Sequence, residues 1–101
     1  MNDTSFKIKT LITEKISISE IEIIDDSHKH HNHRKDTQGG HFRLFVVSDD
    51  FKNLNLLKRH QLIYDILGDM IKTKIHALSM KLLDIEEYSK FNVTPNKSVI
   101  G

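Results

Sequence analysis

The spacing of apolar positions changes repeatedly along this chain, and each change marks an element. Between Thr4 and Ile16, Phe6, Ile8, Leu11, Ile12 and Ile16 recur among lysines, closer to one helical face than to strict alternation, which predicts a short helix. From Ile18 to Asp25 the pattern becomes two-residue: Ile21 and Ile23 alternate with Glu20 and Glu22, as a half-buried strand requires. His41 to Ser48 repeats this period with Phe42, Leu44 and Val46 on one face. These two strands are expected to pair as an antiparallel hairpin. The connection from Asp26 to Gly40 far exceeds the about 2–5 residues usual for hairpins, and loops of that size are often functional or mobile.

Helical spacing returns after the turn-forming cluster Ser48-Asp49-Asp50. Leu56, His60, Ile63, Leu67 and Met70 form one stripe, which predicts a helix of about four turns, with Lys58, Arg59, Gln61 and Asp65 off the stripe. Residues 75 to 83 read as a third strand with His76, Leu78, Met80 and Leu82 of one parity. A strand, helix, strand connection favours a right-handed crossover to a parallel neighbour. Asp84 is placed to cap a last helix from Ile85 to Lys90, and Phe91 to Gly101, with the single proline, reads as a frayed tail. The predicted order is helix, strand, strand, helix, strand, helix. Its simplest packing is an α+β fold, a three-stranded mixed sheet with its helices on one face, forming a single domain over residues 1–90.

Composition narrows the functional classes. At 101 residues the chain is one domain's worth, with 38% apolar and 29% charged residues, as in a compact globular fold. A formal net charge of +1 lacks the excess of a dedicated nucleic-acid binder, although a local basic patch remains open. There is no cysteine, so any metal or cluster bound by this chain alone rests on nitrogen or oxygen ligands. No apolar run approaches the roughly 20 residues that span a bilayer, and no signal-peptide core opens the chain, so the cytoplasm and no membrane are the expectation.

The long connection carries the candidate chemistry. Ser27-His28-Lys29-His30-His31-Asn32-His33-Arg34-Lys35 is dense in histidine, and His41 follows Gly39-Gly40. Imidazole is a common metal ligand, so metal binding is one reading; a well-solvated polar loop is the other. Its internal, interrupted form argues against an affinity tag. His60, on the stripe of the long helix, reads as a packed histidine. His41 opens a strand, as a loop-end cap or a further ligand. His76 shares the parity of Leu78 and Met80, which by itself describes a half-buried, hydrogen-bonded histidine.

Three stretches go further: His41-Phe42-Arg43-Leu44-Phe45-Val46-Val47-Ser48-Asp49-Asp50-Phe51, then Leu57-Lys58-Arg59-His60-Gln61-Leu62-Ile63-Tyr64, then Ile75-His76-Ala77-Leu78-Ser79-Met80. Together, in order and spacing, they resemble the BolA family, with its HF-x-V-x-x-VS-D-x-F strand, L-x-RH-R-x-I/V-Y helix and HAL-x-L strand. The resemblance spans roughly Ile16 to Tyr88 and implies the BolA-like, type II KH-like fold. Two positions depart from the pattern. Asn53 stands where the family usually has the glycine of its F-x-G turn, and asparagine is the next most tolerant of a left-handed backbone. The loop has several histidines and no proline where relatives carry one cysteine or histidine and a short Pro/Gly stretch.

Members of that family bind monothiol glutaredoxins and share a 2Fe-2S cluster with them. By resemblance the metal ligands are His76 and a loop histidine: His30 by alignment from Glu22 to Ser27, with His31 and His41 as alternatives. The glutaredoxin and its glutathione would supply the sulfur, so the missing cysteine is no objection, and the isolated chain need hold no firmly bound cofactor. The free protein is expected to be a monomer or a weak dimer. Some relatives act as DNA-binding regulators, for which Lys58, Arg59, Lys72, Lys74 and Lys81 are the candidate basic patch, although no Gly-x-x-Gly clamp is present. An enzyme is not expected, since no nucleophile elbow, phosphate-cradling glycine loop or HExxH helix accompanies the histidines and acids.

Overall fold

The computed structural model describes residues 3–26 and 40–92. Helix α1 (Asp3–Lys15) is followed by strands β1 (Glu20–Asp25) and β2 (Gly40–Val47), a 3-10 turn (Asp49–Phe51), helices α2 (Leu56–Leu67) and α3 (Met70–Thr73), strand β3 (Ile75–Leu83) and helix α4 (Ile85–Asn92). The sheet order is β1-β2-β3. β1 and β2 pair antiparallel, with Ile21 opposite Val46 and Ile23 opposite Leu44; β3 runs parallel to β2, with Leu44 opposite Met80 and Val46 opposite Leu82. This is the α+β, three-stranded mixed sheet expected from the apolar periods.

The core lies between one face of the sheet and α1 and α2. Ile8 and Ile12 of α1 and Ile63 and Leu67 of α2 close over Phe42, Leu44 and Val46, with Phe51 from the 3-10 turn completing the layer. Ser48 caps that turn, its Oγ accepting from Asp50 N at 3.0 Å, while Asp50 Oδ2 accepts from Ser17 N at 2.9 Å and ties the α1–β1 link to it. Asn53 follows with φ +74°, so the turn takes the left-handed conformation that asparagine tolerates. The cap of α2 is Asn55, whose Oδ1 accepts from Lys58 N.

The predicted four-turn helix is in fact two. Gly68, at φ +55°, ends α2 with its N–H donating to Tyr64 O, and Met70 reaches the core from the separate turn of α3. Within α2 the buried arc also differs from the apolar stripe. Leu56 is exposed, and the line Arg59, Ile63, Leu67 faces inward. Arg59 holds a core position because every polar end is used: Nε donates to Leu54 O, Nη1 to Leu82 O and to Glu87 Oε1, and the guanidinium carbon lies 5.7 Å from the Phe51 ring centroid.

Glu87 in turn forms a reciprocal capping box with Asp84: Asp84 N donates to Glu87 Oε1 and Glu87 N to Asp84 Oδ1, each at 2.8 Å. So started, α4 continues past Lys90 to Asn92, and Phe91 is helical rather than tail. The helices are not all on one face as expected: α4 follows the outer edge strand and brings Tyr88 to the sheet face opposite the core, its ring 5.9 Å from that of Phe45. Among the described residues no helix is long and apolar enough to cross a membrane.

Candidate functional site

An irregularity in the β2–β3 ladder builds the site. Gly40 is opposite Ile75, but the next partners are His41 and Ala77, so His76 is an extra residue in β3. In a regular strand His76 would share the core-facing side with Leu78 and Met80. Here Ile75 enters the core instead, 6% exposed, and His76 turns to solvent. Its ring meets that of half-buried His41, with centroids 4.9 Å apart and planes tilted by 42°.

The long connection leaves and returns beside this pair. Asp26 N donates to His41 O at 2.7 Å, and Gly40 N donates at 3.0 Å to the carbonyl of Lys74, the C-cap of α3 just before β3, so both flanks of the connection are tied close to the two rings. Asp26 Oδ2 also accepts from Arg43 Nε at 2.9 Å. A cavity of about 270 Å³ lies alongside, bordered by Asp26, His41, Arg43, Ala77 and Ser79. His30 and His31 fall outside the described residues. Of the four proposed metal ligands, the fold brings together His41 and His76.

Two imidazoles side by side on adjacent, hydrogen-bonded strands bring two nitrogen donors together, and imidazole is a ligand type that iron and zinc accept. Among the described residues no group of three or more histidines and carboxylates is disposed to hold a metal ion. The pairing of His41 with His76 was not legible from the strand patterns, because both residues sit at the bulge that breaks the parity rule. His60 is half-buried on α2, as its place on the helix suggested.

The five basic candidates do not form one patch. Lys58, Lys72 and Lys74 are exposed on the α2–α3 side. Lys81 belongs to the opposite face of the sheet, in register with Phe45, its ammonium 5.3 Å from the Phe91 ring. Arg59 is 7% exposed and committed to the α2–β3–α4 junction, so it is not a surface cation at all.

A small α+β domain with a three-stranded mixed sheet, a bulge at the head of its last strand and two imidazoles beside a long loop defines a class. Residues 12–87 match the family model described as BolA-like protein, and the chain belongs to that family. It is 40% identical over 72 residues to the DNA-binding transcriptional regulator BolA of Haemophilus influenzae, covering 71% of this chain and 68% of that protein. It is 35% identical over 86 residues to SufE-like protein 1, chloroplastic/mitochondrial, of Arabidopsis thaliana, covering 79% of this chain but 23% of that longer protein. Among solved structures, the BolA domain of SufE1 from Arabidopsis thaliana superposes with a TM-score of 0.73 at 32% identity, covering 86% of this chain and 98% of that one.

Proposed function

We propose that this protein is an adapter that binds a monothiol glutaredoxin and co-ligates a 2Fe-2S cluster with it, serving iron-sulfur cluster trafficking or iron and redox regulation. The observation that supports this reading is the His41–His76 pair, 4.9 Å between ring centroids, at the sheet end where the histidine-rich segment departs and returns. His76 is the fixed nitrogen ligand, and His41, His30 or His31 supplies the second. Sulfur ligands come from the glutaredoxin and its glutathione, because this chain has no cysteine. The role is binding, not catalysis. The test is co-expression with a monothiol glutaredoxin and visible absorption and circular dichroism of the purified complex. The expected spectrum differs from that of the glutaredoxin's own cluster; a spectrum identical to it overturns the reading.

A DNA-binding regulator is the second reading, favoured by the name of the Haemophilus influenzae relative and by the exposure of Lys58, Lys72 and Lys74. It predicts duplex affinity that falls steeply with salt, with a log–log slope of about −0.9 per phosphate neutralised.

A further inference from the structure

The sheet face away from the core holds a groove of about 510 Å³, within the range of about 300–1,000 Å³ usual for small-molecule sites. Its floor is Arg43 and Phe45 of β2 and Ser79 and Lys81 of β3. Glu22 and Ile24 of β1 form one wall and Tyr88 and Phe91 of α4 the other. The strand register sets Arg43 opposite Ser79 and Phe45 opposite Lys81, which places two cations and a hydroxyl on adjacent rows.

The groove is chemically divided. At one end the Arg43 guanidinium is oriented by its Nε bond to Asp26, yet its side chain stays 55% exposed. Toward α4, Phe45 and Tyr88 stand ring to ring, and Phe91, 54% exposed, has its ring 5.3 Å from the Lys81 ammonium. Glu20 and Glu22 line the outer strand on this face. A polyanion laid over the sheet would pass across those carboxylates. A ligand with a single negative charge meets the cations and rests its apolar body on the rings.

We propose that this groove binds a small amphipathic monoanion with an aromatic body, of the aryl-alkyl carboxylate class. The carboxylate is received by Arg43, Ser79 and Lys81, and the ring lies against Tyr88 and Phe91. The site is separate from the histidine pair and does not depend on cluster binding. Titrating the full chain with phenylbutyrate, its neutral amide and octanoate, with amide resonances followed by NMR, tests it. Phenylbutyrate should shift Phe45, Ser79, Lys81, Tyr88 and Phe91. The neutral amide should bind about tenfold or more weakly, the loss expected for a charge-assisted hydrogen bond. Arg43→Gln and Lys81→Gln should each weaken phenylbutyrate, and Phe91→Ala should do so with the rest of the spectrum intact. The proposal is overturned if the amide binds equally well, if octanoate binds more tightly than phenylbutyrate, if the shifts fall elsewhere, or if Lys81→Gln and Phe91→Ala are both without effect.

Discussion

His76 faces His41 across the β2–β3 ladder because Ile75, its neighbour in sequence, takes the core position that strand parity would have assigned to His76. The bulge turns a residue of the buried row into one with an accessible nitrogen donor. It also puts that donor beside His41 and close to Asp26 and Gly40, the residues that flank the long connection.

Replacing His76 with alanine should leave the fold intact, since the side chain is exposed and caps no element. Unfolding free energy should change by no more than the roughly 0.5 kcal/mol usual for surface sites, while the cluster spectrum of a glutaredoxin heterocomplex is lost or strongly weakened. His60→Ala should do the reverse, lowering stability by about 1 kcal/mol through lost packing and leaving the spectrum unchanged. Equal effects of the two substitutions on the spectrum would contradict separate roles.

Arg59→Ala should be the most damaging change of a charged residue. It removes donors from the carbonyls of Leu54 and Leu82 and from Glu87, and uncovers Phe51. The expected loss is about 3 kcal/mol in urea unfolding, mostly from the buried end, because Glu87 is 45% exposed and its ion pair is screened by solvent. DNA affinity, if present, should not depend on Arg59 once folding is accounted for.

Glu87 links stability to acid pH. Its carboxyl is held below the ordinary value of 4.5, first by the hydrogen bond from Arg59 and then by the backbone N–H of Asp84, which together outweigh the opposing effect of desolvation. A depressed folded-state pKa means that its contribution is fully present above the unfolded value and is lost as pH falls through the folded one. Thermal midpoints measured downward from neutral pH should therefore drop below pH 4.5, and Glu87→Gln should show a shallower drop over that window. Parallel curves for the two proteins would remove Glu87 from this role.

Backbone conformation supplies a last pair of expectations. Asn53 and Gly68 both have positive φ, +74° and +55°. Asn53→Gly should be neutral or mildly stabilising and Asn53→Val should cost about 1–2 kcal/mol, since a β-branched residue is poorly tolerated there. Gly68→Ala should cost about 1 kcal/mol although the added Cβ meets nothing closer than Asp65 O at 4.0 Å, so the penalty is conformational and not steric crowding. Chemical denaturation of the three variants measures this directly.

Element type and order were legible in the chain because burial on one face imposes a period: two for β1 and β2, about 3.6 for α1 and α2. The motif order around His41, Leu57 to Tyr64 and His76 likewise marks the family in the sequence itself. What the tertiary structure alone decided lies where that period fails. The bulge at His76 depends on the pairing of β3 with β2, a register no single strand encodes. The burial of Arg59 depends on carbonyls and carboxylates supplied by β3 and α4, distant in sequence, so a charged residue read as surface became part of the interior. The groove beside Phe45 and Phe91 exists only because the capping box of Asp84 and Glu87 directs α4 onto the second sheet face, where polar and aromatic residues from four elements meet. Periodicity reports which side of an element is buried; which side chains then face one another is a long-range property of how the elements are joined.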